Sequence, residues 1–217
     1  MPHHFDALMF DLDGTLADTL RDIAGGGNHM LATLGLPTLP VDRYRHLAGQ
    51  GAPWLVEHAL GPEHGELATR GLALFKAFQL EHGLDHTAPY PGIAELLDEC
   101  RRRGLKTAVL SNKPHPATLL AVQRVLGRWR FDAVLGHEPD GPLKPDPAGA
   151  LAIADRLAVP PAHWLYLGDT RVDMLTGKAA GMFTVGALWG FRQQTELLEA
   201  GADAIVAHPR EVVEMLT

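Results

Sequence analysis

One repeated unit constrains the fold more than any other feature. A short apolar run stops at a polar residue or glycine, and a stretch of helical periodicity follows. The run beginning at Phe5 reads FDALMFDLDGTL, and the same grammar returns at 105–112, 131–136, 163–169, 182–187 and 203–206. Between these runs, apolar residues recur at helical spacing. Ile93, Leu96, Leu97 and Cys100 share one face; Leu119, Val122, Val125 and Leu126 share another; and Pro147 opens a third helix through Leu151, Ala154 and Leu157. Strands alternating with helices of this length predict an α/β fold, a Rossmann-like parallel sheet with helices on both faces. Ligands of such sheets sit beyond the carboxyl ends of the strands, where the polar residues fall.

Between 17 and 88 the strand runs vanish. Leu20, Ile23, Met30, Leu31 and Leu34 form one stripe, and 41–47, 52–60 and 66–84 are helical in character, punctuated by Gly35, Pro37, Pro40, Gly61, Pro62 and Gly83. We therefore expect an inserted α-helical domain, with core at 1–16 and 89–217 and the insertion at 17–88. Gly25, Gly26 and Gly27 are unusual inside a helix, where each costs about 1 kcal/mol relative to alanine. They are read as a helix break or loose packing, or else as a hinge or a close approach of backbone to substrate.

Composition narrows the function. The 217 residues are 46% apolar, too many for a disordered chain, and the single cysteine permits neither an internal disulfide nor a zinc–cysteine module. Cys100, on an apolar stripe, is expected to be a buried structural thiol. A net charge of −7 gives no positive field for nucleic acid or an anionic membrane. No apolar run nears the roughly 20 residues needed to cross a bilayer. The opening MPHHFDALMF lacks the basic stretch and apolar region of a secretory signal, so a cytoplasmic protein is expected. No long apolar stripe stands exposed, so a monomer is expected.

Asp11 and Asp13 flank Leu12 at the end of the first strand, so in extended geometry both side chains leave on one face. Two carboxylates there repel, and a hard divalent cation with oxygen ligands is the usual remedy. Gly14 and Thr15 then turn the chain so that backbone N–H groups can face an anion. Other motifs are weaker. His82 and His86 lack an acidic or cysteine partner at ligand spacing. Gly49-Gln50-Gly51 lacks a third glycine, and Thr176-Gly177-Lys178 lacks the earlier glycine of a P-loop.

The stretch DLDGTLADT (Asp11 to Thr19) resembles the first motif of the haloacid dehalogenase superfamily, and the remaining motifs follow in order. They are Ser111 in VLSNKP, Lys144 in LKPDP, and Asp169 with Asp173 in YLGDTRVDM. Among its branches the chain is most similar to the phosphoglycolate phosphatases. The matching pieces are the helical insertion after the first motif, GLP at 35–37, SNKP at 111–114, AAG at 179–181 and the WG of Trp189-Gly190. The resemblance implies a helical cap and a magnesium-dependent phosphatase for a small phosphorylated metabolite, 2-phosphoglycolate in the first instance. Asp11 would be the nucleophile that forms an aspartyl-phosphate, and Asp13 the acid and then base. Ser111, Asn112 and Lys144 would hold the phosphoryl group. Asp11, the Asp13 carbonyl and Asp169 would hold magnesium, with Asp173, one helical turn past Asp169, orienting a metal-bound water. A dehalogenase needs no acid at position 13. Another small phosphoester, pyrophosphate, a sugar-phosphate mutase reaction and a non-catalytic binding module remain alternatives. For the leaving group, Gln50 in the Gly49–Gly51 turn and Arg171 are candidate contacts. Arg21, Arg43, Arg45 and His46 suit solvated surface equally well.

Overall fold

The computed structural model describes residues 4–216. Its strands are β1 (Ala7–Phe10), β2 (Ala17–Asp18), β3 (Ala88–Pro89), β4 (Lys106–Pro114), β5 (Ala133–His137), β6 (Trp164–Gly168), β7 (Phe183–Ala187) and β8 (Ala204–Val206). Its α-helices are α1 (Leu20–Thr33), α2 (Arg43–Leu47), α3 (Ala52–Leu60), α4 (Ala68–His82), α5 (Ile93–Arg103), α6 (His115–Leu126), α7 (Ala148–Arg156), α8 (Arg171–Ala180), α9 (Gln194–Glu199) and α10 (Pro209–Met215).

Six strands form one parallel sheet in the order β5-β4-β1-β6-β7-β8. All four residues of β1 are fully buried, because helices cover both faces of a parallel sheet. Leu8 and Phe10 pack one way, against Ile93, Leu96 and Cys100 of α5 and Leu126 of α6. Ala7 and Met9 pack the other way, against Ala150, Ile153 and Ala154 of α7. The strand order reverses at β1, whose neighbours β4 and β6 both come later in the chain. The carboxyl ends of these three strands therefore border the crevice in which doubly wound sheets bind ligands.

The segment between β2 and β3 is helical. It leaves and returns through that short antiparallel pair, with Ala17 opposite Pro89 and Asp18 opposite Ala88. Its helices bury a separate apolar cluster built on Ile23, Met30, Leu31, Tyr44, Leu55, Val56 and Phe75. Buried Asp22 of α1 ties the returning chain down by accepting bonds from His86 N (3.0 Å) and Thr87 Oγ1 (2.6 Å). Among the described residues, no helix is long and apolar enough to cross a membrane.

Two sequence expectations need correction. Helix α1 runs unbroken through Gly25–Gly27, and the packing there is tight. A methyl on Gly27 would overlap the Tyr44 ring, and one on Gly26 would overlap the Gln79 amide, so glycine lets two neighbouring side chains lie against the helix backbone. Leu119 and Leu151, assigned to apolar faces by spacing, are 45% and 40% exposed. Helices α6 and α7 bury narrower stripes, on Thr118, Ala121, Val122 and Leu126 and on Ala150, Ile153 and Ala154.

Candidate active site

Three carboxylates meet at the crevice. Asp11 directly follows β1, Asp169 directly follows β6, and Asp173 lies in the first turn of α8. One oxygen of each lies within 4.8 Å of the others, and all three residues are buried. The close approach depends on glycine. Gly14 has φ +90, and a methyl there would overlap the Asp169 carboxylate; a methyl on Gly190 would overlap the same side chain from the other direction.

Lys144 is the counter-ion. Its ammonium donates to Asp11 Oδ1 at 2.8 Å, Asp173 Oδ1 at 2.6 Å and the Leu110 carbonyl at 3.0 Å. Asp169 instead accepts neutral donors, Thr15 Oγ1 at 2.8 Å and the backbone N–H of Phe191 at 2.7 Å. Three carboxylates against one ammonium leave two negative charges uncompensated when all are ionised. Burial pushes Asp11 well above the ordinary carboxylate range, and Asp173 and Asp169 add to the shift against the opposing pull of Lys144. Burial, then Asp173, brings Asp169 to about 7. Burial acts against the charge on Lys144, yet Asp11 and Asp173 outweigh it and hold the ammonium protonated. A buried, oxygen-rich set with excess negative charge has the chemistry to hold a hard divalent cation.

Asp13 lies beside this cluster and meets a cation that the sequence reading did not single out. Lys113 Nζ stands 3.1 Å from Asp13 Oδ1 and 3.4 Å from Oδ2. Lys113 follows Ser111 by two residues on β4, so the alternation of the strand was the available signal. Asp11, Asp13, Ser111 and Lys113 all line a cavity of about 500 Å³ between the sheet and the helical segment. Ser111 Oγ accepts a bond from Lys113 N at 3.2 Å.

Asn112 lines the cavity of Asp11 as expected but commits its amide elsewhere, and three further residues differ from their expected placement. The Asn112 side chain is fully engaged, donating to Gly49 O and Lys144 O (3.0 Å each) and accepting from Lys144 N at 2.8 Å. It positions Lys144 and the 49–51 turn, and has no amide donor left for a phosphoryl group. Asp173 does not stand one helical turn beyond Asp169. Thr170 caps α8, so Asp169 precedes the helix, while Asp173 Oδ2 accepts from Thr170 N and Oγ1 in a capping box. Its other oxygen holds Lys144. Gln50 and Arg171 line a separate cleft of about 850 Å³ that contains none of the three clustered acids, and it is Gly49 and Gly51 that face the cavity of Asp11.

Arg45 and Arg192 cross between the helical segment and the sheet. Arg45 Nη1 donates to Gly190 O at 2.9 Å, and Arg192 donates to the carbonyls of Arg45, His46 and, at 3.0 Å, Ala48. Arg192 and the Phe191 N–H escaped sequence reading because nothing in a sequence marks which backbone group or arginine closes over a site. Cys100 is buried as expected, and burial pushes its thiol up to about 12.

Comparison with known proteins gives a consistent result. Residues 5–181 match the family model of haloacid dehalogenase-like hydrolases. The chain is 35% identical over 215 residues to a phosphoglycolate phosphatase of Pseudomonas syringae pv. tomato, covering 95% of this chain and 78% of that one. It is 38% identical over 192 residues to a phosphoglycolate phosphatase of Pseudomonas putida, covering 85% and 70%. A crystal structure from Lactobacillus delbrueckii subsp. bulgaricus superposes with a TM-score of 0.92 at 29% identity, covering 98% of both chains.

Proposed function

The chain belongs to the haloacid dehalogenase-like hydrolases and is a phosphomonoester hydrolase, and from that premise we propose that it hydrolyses 2-phosphoglycolate with magnesium, through an aspartyl-phosphate on Asp11. The observation that carries the mechanism is the buried cluster in which Asp11, Asp169 and Asp173 share the single ammonium of Lys144. The choice of 2-phosphoglycolate rests on the names of the relatives.

In this reading an Asp11 carboxylate oxygen attacks phosphorus in line. The bond from phosphorus to the ester oxygen breaks, and the departing oxygen takes the proton carried by Asp13. Asp13 then accepts a proton from water as that water attacks the phosphorus. The bond from Asp11 to phosphorus breaks, phosphate leaves, and both carboxyl groups are restored. The Ser111 hydroxyl donates to a phosphoryl oxygen, and Lys144 offsets the charge of the approaching anion against Asp11. Lys113, paired with Asp13, supplies a second cation at the cavity floor.

Magnesium would be held by Asp11, Asp169 and the Asp13 carbonyl, with Asp173 alongside. When bound, it supplies positive charge against the phosphoryl oxygens. The raised proton affinities of Asp11 and Asp169 support this reading, because a nucleophilic carboxylate must be ionised and a cation beside it keeps it so. We read residues 17–88 as a cap that excludes water from the cavity, and the protein as a cytoplasmic monomer acting on a small metabolite.

A panel of small phosphomonoesters and pyrophosphate, assayed with magnesium and ranked by kcat/KM, tests the substrate. The expected result places 2-phosphoglycolate first; a different leader replaces that substrate while leaving the phosphatase chemistry in place.

A further inference from the structure

The wall that would surround the leaving group is apolar. The ionisable residues lining the 500 Å³ cavity are Asp11, Asp13 and Lys113 at its floor, the half-buried His137, and the exposed Lys76 and Glu138 at its rim. Between them, α1, α3 and α4 present Ile23, Leu55, Phe75 and Leu80, and Pro114 and Pro116 face them from the sheet side. Gln79, the uncharged polar residue of α4 on this wall, has its amide nitrogen bonded to Asp22 O at 2.7 Å.

Leu80 carries this wall toward solvent. It is 65% exposed and takes no part in the buried core, yet it lines the cavity. It extends the apolar wall from Ile23, Leu55 and Phe75 out to the mouth of the cavity. The volume agrees, since cavities of about 300–1,000 Å³ lined mainly by apolar groups accommodate ligands well beyond the size of glycolate.

We infer that this site also hydrolyses phosphomonoesters of primary alcohols whose leaving group has an extended apolar body, an alkyl or arylalkyl chain lying against Phe75, Leu55 and Leu80. The inference rests on the phosphatase reading for its chemistry and on the cavity wall for its substrate class. Bond making and breaking are those given above, with the alcohol leaving in place of glycolate.

The test is a homologous series of n-alkyl phosphates from ethyl to hexyl, in which leaving-group basicity is nearly constant and only the buried apolar length changes. With magnesium, kcat/KM is expected to rise about two- to fourfold per methylene, the upper figure being complete transfer of a CH₂ from water. Leu80→Asp, at an exposed position, should lower the hexyl-to-ethyl ratio by at least about twofold, with the Phe75 and Leu55 surfaces left in place. A flat or falling series, with ethyl phosphate still hydrolysed, overturns the inference, as does a hexyl-to-ethyl ratio left unchanged by Leu80→Asp. If no ester is hydrolysed, the phosphatase reading fails on its own account. Calorimetric binding of n-alkylphosphonates then decides the apolar wall: affinity that tightens with chain length supports it, and affinity independent of length overturns it.

Discussion

The backbone N–H of Phe191 holds Asp169 Oδ2 at 2.7 Å while the ring of the same residue is buried in the apolar cluster of helices α1–α4. One residue thus joins a clustered acid to the packing of the helical segment. Arg192, next in the chain and 8% exposed at its side chain, fastens the carbonyls of Arg45, His46 and Ala48 from the same loop. A shift of α2 against the sheet must therefore disturb the groups that aim Asp169.

Arg192→Ala should lower kcat/KM for the preferred phosphoester by at least about tenfold and destabilise the fold by about 2 kcal/mol, because carbonyls at the end of α2 lose their donor. Arg192→Lys should recover only part of both, since an ammonium cannot span three carbonyls as a guanidinium does. Thermal unfolding and steady-state kinetics of the two variants provide the check.

Lys144→Ala leaves Asp11 and Asp173 buried without their ammonium. Removing one partner of a buried ion pair costs about 3–5 kcal/mol, and loss of a charge beside the transferring group costs about 10²–10³ in kcat. Denaturant unfolding of the variant should show a lower midpoint with an unchanged slope, and phosphate release should fall by that factor.

The glycines of α1 separate helix propensity from packing. Gly25→Ala should stabilise the protein by about 0.5–1 kcal/mol, because the added methyl would lie 3.7 Å from Phe78, an ordinary contact. Gly27→Ala gains the same propensity but drives a methyl into the Tyr44 ring, so it should destabilise by about 1–3 kcal/mol. Equal shifts in the same direction would contradict this account of the helix packing.

The Asp169 carboxyl titrates at about 7 in the fold, pushed up by burial and by Asp173, against an ordinary value of 3.8. The folded state therefore holds this proton more tightly than the unfolded chain does. Sign follows from linkage: stability of the metal-free protein should fall as pH rises from about 4 to 7. A divalent cation competes with that proton, so magnesium should raise the melting temperature more at pH 8 than at pH 6. A magnesium-induced shift independent of pH would contradict the placement of Asp169 in the cation site.

Much of the sheet was legible in the sequence, because each strand is a short apolar run ended by a polar residue, and Asp11, Ser111 and Asp169 fall at or near the ends of β1, β4 and β6, with Lys144 in the loop after β5. Asp11, Lys144, Asp169 and Asp173 do meet. Side-chain direction within loops and turns was not legible. Gln50 and Arg171 flank the site in sequence yet face another cleft, and Asn112, one residue from Ser111, turns its amide to Gly49 and Lys144. Spacing also marks a helix face without giving its width, which is why Leu119 and Leu151 were misplaced. The Phe191 bond to Asp169 comes from backbone, which carries no side-chain signal at all.

The most direct test of the central claim is a rapid acid quench of the enzyme during turnover of a ³²P-labelled phosphomonoester with magnesium, followed by identification of the labelled peptide. The account predicts a hydroxylamine-sensitive label on Asp11 that is absent from Asp11→Asn. Phosphate release without any label on Asp11, or full activity in Asp11→Asn, would contradict it.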